Sequence, residues 1–486
     1  MDMIHAPRLN AKNLPWFNVK APLDLPDLKG KLVILDFWTF CCINCIHIIP
    51  TLKRVEEKFP DAVVVIGVHS PKFSGEKVTG NVQKAIDRYE IVHPIVHDTD
   101  FSIWKNYAVR AWPTLVFIGP DGYILGQLPG EPDPELLETS ITQVVEDMKQ
   151  KGVIEGNAAD LLSPPALSQD TALRFPGKIA YNPDAGAFAI ADSNHNQIVI
   201  ADLSGNITRR IGTGRSGKKD GSLEEAEFFR PQGLCFHGQT IWVADTENHL
   251  IRKVDLAREK VFTVAGTGRQ GGYLKERGPG KQTALSSPWD VALNGDHLYI
   301  ANAGTHQIGL YEIQAGMANL FAGTGQESIT DGPRNHGTFA QPSGLSLGDG
   351  RLFLADSETS AIRSVELHGA GFIDTHVGTG LFDFGDQDGK GKDALLQHPL
   401  GVHHSGGKVY IADSYNHKIK VLDLATQEVT TVQASASIVC DDQTCTRLWE
   451  PAGVIEVDHC LYVSDTNNHR IVKIDQETGK TQIFIN

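Results

Sequence analysis

The chain has no excess of positive charge: 44 lysines and arginines stand against 59 aspartates and glutamates, a formal net charge of −15 over 486 residues. That balance argues against a phosphate-backbone partner, because nucleic-acid binding needs concentrated positive charge. No run of about eighteen apolar residues, the length that spans a bilayer, occurs anywhere. The opening stretch MDMIHAPRLNAKNLPWF has no apolar core of signal-peptide length. A soluble chain retained in the cytoplasm, without a membrane partner, is therefore expected. Cysteine is sparse, and seven in so long a chain do not make a disulfide scaffold. At 41% hydrophobic and 21% charged the composition is that of a globular protein, but its length exceeds one ordinary core, so two or more domains are expected.

Two of those cysteines stand where chemistry is expected. An apolar run from Leu32 to Phe40 reads as a buried strand and ends at Cys42-Ile43-Asn44-Cys45, after which Ile46, Ile48, Ile49 and Leu52 suggest a helix. A thiol at a helix N-terminus is stabilised as thiolate by unpaired backbone N–H groups and the helix dipole, and the thiolate is the form that attacks disulfides. Cys42 is the expected nucleophile. Cys45, one turn later, is placed to displace the partner from a mixed disulfide. A zinc site would need further Cys or His at matching spacing beside this pair, and none is there, so neither metal nor cofactor is expected. Cys41 reads either as a third reactive thiol, able to pair with Cys45 or to sense oxidation, or as a small buried thiol. A bridge between neighbours Cys41 and Cys42 would be strained.

Four features together resemble the thioredoxin family. Phe37 and Trp38 precede the dithiol, Asp36 falls where that family keeps a buried carboxylate behind the second cysteine, and Pro50 matches its helix-kinking proline. Far along the chain, Trp112-Pro113-Thr114 opens the run LVFI and resembles the cis-proline loop. The resemblance implies that Pro113 lies beside the dithiol and pairs with the substrate backbone. Asp36, its affinity for protons raised if it is buried, reads either as assisting proton transfer at Cys45 or as a satisfied buried carboxylate without catalytic effect. Trp38 and Trp112 read either as a platform for a bound peptide or as core. Ile43-Asn44 replaces the usual Gly-Pro, so the redox poise and direction of electron flow do not carry over. Thr39-Phe40-Cys41-Cys42 superficially resembles a peroxiredoxin motif, but Leu35 stands where those peroxidases need proline, and CxxC spacing suits disulfide exchange better.

Residues 1 to about 30 read as an irregular lead-in punctuated by Pro22 and Pro26. A second buried strand is expected over Ala62–His69, a polar helix up to Tyr89, a short strand over Ile91–His97 and a short helix over Phe101–Val109. This extra strand and helix resemble the TlpA-like and peroxiredoxin-like branch. A hairpin turning at Gly119-Pro120-Asp121-Gly122 follows. A closing helix is then N-capped by Asp133, its apolar side Leu137, Ile141, Val144, Val145 and Met148. An α/β domain over 1–152 and a linker over 153–171 are expected.

From Thr171 the chain repeats. Six phrases recur: IADSNHNQI, VADTENHLI, IANAGTHQI, LADSETSAI, IADSYNHKI and VSDTNNHRI, their polar keys being Asp192, Asp245, Asn302, Asp356, Asp413 and Asp465. Spacings of roughly fifty to sixty residues suit four short strands each, the period of a propeller blade. In phase with them, prolines at 176, 231, 288, 342, 399 and 451 precede each inner strand, and Gly-Thr-Gly closes the first four blades. These phrases resemble NHL repeats, and the expected fold over 172–486 is an all-β, six-bladed propeller. Blade six should close on blade one by side-chain packing without strand exchange. His249, His306, His417 and His469, with Asn196 and Ser360 in the same place, read as sharing a structural duty in the turn rather than a metal or catalytic one. Cys440, Cys445 and Cys460 are expected to be reduced thiols, the alternative being a bridge between Cys440 and Cys445.

A thioredoxin-like domain carrying CCINC and followed by NHL repeats resembles the family of NHL-repeat-containing protein 2 and its bacterial relatives. Longer animal members carry a further strand-rich domain, which this chain is expected to lack. The resemblance implies a thiol-disulfide oxidoreductase whose substrate is a protein or small-molecule disulfide, with a protein partner recruited or shaped by the propeller. The rival expectation is a binding scaffold whose thioredoxin-like domain is a docking surface or redox switch without turnover.

Overall fold

A computed structural model describes residues 4–155, 163, 171–436, 439–440 and 445–486. Much of the expected linker, and the side chains of Cys440 and Cys445, lie outside the described residues. The chain divides into two compact units, Met1–Gln169 and Asp170–Asn486. Among the described residues no helix is long and apolar enough to cross a membrane.

The first unit is a six-stranded sheet, ordered β1-β4-β3-β2-β5-β6. Its members are β1 (Trp16–Phe17), β2 (Leu32–Trp38), β3 (Val63–His69), β4 (Ile95–His97), β5 (Thr114–Ile118) and β6 (Ile124–Pro129). The helices are α1 (Ile43–Lys58), α2 (Thr79–Tyr89), α3 (Ser102–Asn106) and α4 (Pro134–Gln150). β2 is central, parallel to β3 and antiparallel to β5, and buried along its length. Alternation along a strand sends Val33, Leu35 and Phe37 to one face and Leu32, Ile34 and Asp36 to the other. The first set packs with Ile66 and Val116, while Leu32 and Ile34 pack under Ile48, Leu52 and Val55 of α1 and Ile141 of α4. Asp36 therefore belongs to the α1 face.

The lead-in is less irregular than its sequence suggests. Leu9, Ala11, Leu23, Leu25 and Leu28 are buried in the core, and β1 pairs antiparallel with β4 at the sheet edge. A two-residue strand has no period to read, and the prolines that break it hide the burial. On α4, Val144 is 38% exposed, leaving Leu137, Ile141, Val145 and Met148 as the buried stripe.

The second unit is a six-bladed β-propeller. Blade one runs outward from Pro176–Asn182 through Ala187–Asp192 and Gln197–Asp202 to Ile207–Ile211. The inner strands of the others begin at Gly233, Pro288, Pro342, Gly401 and Gly453. Blades two to five add a two-residue fifth strand outermost, as Gly221–Ser222 does on Lys260–Ala265, too short to be legible in sequence. Blades one and six keep four strands each, and Phe188, Ile190, Tyr462, Ile471 and Ile485 form one core between them.

The repeat phrases are blade-to-blade fasteners. His249 is left-handed (φ 53°), and its Nδ1 accepts the N–H of Ser287 in the next blade at 3.0 Å. His306 accepts from Gln341, His417 from Glu450, and His469 from Phe175, closing the ring; Asn196 Oδ1 and Ser360 Oγ do the same for Arg230 and His398. Each of those six donors is itself at positive φ. A second fastener is the hydroxyl after the key residue: Ser193, Thr246, Ser357, Ser414 and Thr466 each donate to the carbonyl of the next blade's proline, at 2.6–2.8 Å. The keys Asp192, Asp245, Asn302, Asp356, Asp413 and Asp465 bind a loop N–H of their own blade, 16 to 18 residues away. The structural duty thus lies at the joints as well as in the turns.

Candidate active site

β2 delivers the chain at the centre of the sheet to Thr39-Phe40-Cys41-Cys42, and α1 begins immediately after. Cys42 is the N-cap residue of α1; its carbonyl accepts the N–H of Cys45 at 3.1 Å and of Ile46 at 3.2 Å. All three thiols of the segment are unbridged. Cys42 is half-buried and Cys45 fully buried. Burial foremost, together with its hydrogen bond to Cys42, pushes the Cys45 thiol well up, while a backbone bond at Thr39 opposes the shift. The pair thus consists of a sulfur that a visitor can reach and a protonated sulfur behind it.

Asp36 is 1% exposed on the α1 face, and its charge acts on Cys45. Among the described residues its Oδ1 has no hydrogen-bond partner. Burial pushes its carboxyl up to about 7, against the downward pull of His93. Pro113 is buried and joined to Trp112 through a cis peptide bond. Register pairs Thr114 with Phe37, which brings Pro113 alongside the end of β2 that leads to the dithiol. Its carbonyl accepts the N–H of Gly130, and the next residue, Glu131, holds His47 Nδ1 of α1 at 2.7 Å. His47 is thereby buried in a hydrogen bond that ties α1 to the segment after β6.

The structure separates the two tryptophans. Trp112 is half-buried, packs on Trp104 at 4.5 Å and donates Nε1 to the carbonyl of Ser70. Trp38 is 1% exposed and packs edge-on against His69, so it presents no face to a peptide, contrary to one of its two readings: it lies on the covered face of the central strand. Cys41 is 2% exposed, with Sγ 3.5 Å from Thr39 Oγ1, in line with its reading as a small buried thiol.

Three residues that sequence reading missed complete the site. Glu76, fully buried, straps the loop: Oε1 accepts Thr39 Oγ1 at 2.6 Å and the N–H of Cys41 at 3.0 Å, and Oε2 accepts the N–H groups of Lys72 and Phe73. His93 and Glu56 pair at 3.1 Å beyond Asp36. None lies in a motif: Glu76 and His93 are brought in by the chain beside β3 and β4, and Glu56 by its place farther along α1. Among the described residues no group of three or more His, Cys, Asp or Glu is arranged to hold a metal ion.

Residues 30–124 match the profile of the family described as Thioredoxin-like, and residues 228–254 that described as NHL repeat. Over 97% of its length the chain is 41% identical to NHL repeat-containing protein 2 of Homo sapiens, and the match spans 70% of that protein. It is likewise 41% identical over 96% of its length to Protein SUPPRESSOR OF QUENCHING 1, chloroplastic, of Arabidopsis thaliana, spanning 46% of it. Over 25% of the chain it is 27% identical to Thiol-disulfide oxidoreductase ResA of Bacillus thuringiensis, spanning 68% of that protein.

Proposed function

Because this chain belongs to the family of NHL repeat-containing protein 2, and its first unit is similar to a named thiol-disulfide oxidoreductase, we propose that it exchanges disulfides through Cys42 and Cys45. The observation that carries the reading is the pairing of a reachable Cys42 at the start of α1 with a buried, protonated Cys45 over the lone carboxyl of Asp36. Cys42 as thiolate attacks a protein or small-molecule disulfide, forming a mixed disulfide and releasing one thiolate. Cys45 gives its proton to Asp36, attacks Cys42 Sγ and releases the second thiolate, so that two electrons pass from the dithiol to the substrate. Pro113 borders the place where the substrate backbone lies. The propeller recruits or shapes the partner, which is a protein and not a nucleic acid, given the net charge of −15. The cytoplasm, where such thiols are kept reduced, is the compartment that suits this chemistry.

A Cys45→Ser variant incubated with cell extract is expected to accumulate covalent partners that reductant releases, and Cys42→Ser to accumulate none. Noncovalent complexes that persist unchanged when both cysteines are replaced, with no covalent species from Cys45→Ser, would favour a scaffold without turnover.

A further inference from the structure

Two adjacent thiols precede the resolving Cys45 in CCINC, and one carboxylate separates their fates. The chain leaves β2 at Trp38 and turns over residues 39–42, the Thr39 carbonyl accepting the N–H of Cys42 at 3.4 Å. Glu76 Oε1 holds this turn from within the unit, accepting Thr39 Oγ1 at 2.6 Å and the N–H of Cys41 at 3.0 Å. Cys41 is thereby drawn inward by its backbone, and its Sγ rests 3.5 Å from Thr39 Oγ1. It is 2% exposed, whereas Cys42, one residue on, is half-buried at the start of α1.

Glu76 is anchored in turn. Its Oε2 accepts the N–H groups of Lys72 at 2.6 Å and Phe73 at 3.0 Å, and its carbonyl accepts Nε2 of His97, the last residue of β4, at 3.0 Å. The residue is completely buried. A carboxylate has two acceptor oxygens, so one serves the turn and the other the loop after β3, which a side-chain amide with its single acceptor cannot do. Bonds to a charged acceptor are roughly twice as strong as neutral ones, and donors left unmet in the interior are costly. The turn is therefore held in the arrangement that sends Cys42 outward.

We propose that Glu76 is the positioning residue that makes Cys42, and not Cys41, the attacking thiol. This rests on the oxidoreductase reading and explains which sulfur that reading uses. In the attack the Cys42 thiolate bonds to one sulfur of the substrate disulfide, the substrate's S–S bond breaks and its other sulfur leaves as thiolate, so no further oxidant or reductant enters. Cys41 is kept out of that step because its sulfur stays buried for as long as Thr39 and Cys41 remain bonded to Glu76. With the strap cut, the turn relaxes and both sulfurs meet the substrate.

The test uses the full chain carrying Cys45→Ser, which leaves a mixed disulfide unresolved, and a symmetric aromatic disulfide whose thiolate absorbs visible light. Fragmentation of the modified peptide in a mass spectrometer shows which of the adjacent cysteines carries the aromatic group. With Glu76 in place, Cys42 is expected to carry nearly all of it. Glu76→Leu, which offers no acceptor, should raise the ratio of Cys41 to Cys42 adduct about tenfold or more, as the loss of one charge-assisted bond implies. Glu76→Gln keeps an oxygen for the turn and should restore most of the selectivity. The rate of thiolate release against pH, with a single midpoint while Cys42 acts alone, should gain a second in Glu76→Leu. Should that variant not fold, Thr39→Val decides, because it removes one of the two turn bonds and should shift the ratio the same way by less. An unchanged ratio in Glu76→Leu, or in Thr39→Val where the former is unfolded, overturns the assignment, as does an adduct mainly on Cys41 with Glu76 intact. So does a Glu76→Gln ratio as high as that of Glu76→Leu, since packing and not the acceptor would then make the choice. No adduct at either cysteine with Glu76 intact overturns the oxidoreductase reading beneath it.

Discussion

Asp36 binds its proton more tightly in the folded chain than an unfolded aspartate does, since burial takes it from 3.8 to about 7. The sign follows by linkage: the folded state holds the extra proton between those values, so stability falls as pH rises through about 7. Asp36→Asn removes the group that must be ionised in the interior. It should raise the unfolding free energy by roughly 4 kcal/mol at pH 8 and by much less near pH 4, because each tenfold change in proton affinity is worth about 1.4 kcal/mol. Urea denaturation at both pH values reads the difference. The same variant should slow resolution of a mixed disulfide. Stability gained together with activity lost is the mark of a residue kept for chemistry. At this scale the sequence was informative where a residue type is demanded by the reaction, as at Cys42, Cys45 and Asp36. It was silent on His93 and Glu76, whose places depend on which strand lies beside which, and on Glu56 of α1, which enters only through its bond to His93.

At the scale of one element, the unit of the propeller is a joint between blades. The acceptor at His249 is an imidazole nitrogen in a left-handed turn, and asparagine at 196 offers an oxygen to the same kind of donor. His249→Ala strands the N–H of Ser287 and should cost about 1–3 kcal/mol, while His249→Asn should cost distinctly less; thermal unfolding compares the two. Acid acts on the same joints, because an Nδ1 that accepts must be unprotonated. Burial foremost holds His417 below 6.5, so its contribution is complete above 6.5 and is lost as pH falls through its lowered folded value. The key carboxylates show matching of charge within a blade. Asp245 and Asp356 each meet a buried arginine seven residues on, Arg252 and Arg363, whereas the uncharged Asn302 has Gly309 at that distance. A buried charge without a partner is costly, and in that blade both members are missing.

Across the whole molecule, the ring brings together residues that no local pattern pairs. Lys178 of blade one and Asp290 of blade three are both buried among the inner strands, and each shifts the titration of the other. Lys178 Nζ donates to the carbonyls of Leu400 and Ala452, and Asp290 accepts the N–H of Val291 and Leu345. Asp290→Asn removes the countercharge and should cost about 3–5 kcal/mol, with much of the loss recovered in the double variant Asp290→Asn, Lys178→Met. Denaturant unfolding of both variants tests this. Ring closure also exceeds what side-chain packing alone was expected to provide, because Thr466 and His469 bond to Pro176 and Phe175 as the other joints bond to their neighbours.

The sequence by itself determined the dithiol, its buried carboxylate, the cis-proline segment and the number of blades. The dithiol and the blades rest on a residue type at a short or regular spacing, which chain geometry alone can enforce, and Asp36 and Pro113 on their match to the thioredoxin pattern. Tertiary structure decided which polar groups meet: His93 with Glu56, the Glu76 strap, and the side chains, four of them histidines, that fasten each blade to the next. Those pairings join residues up to 294 positions apart, and only strand register and the closing of the ring bring such distances to zero.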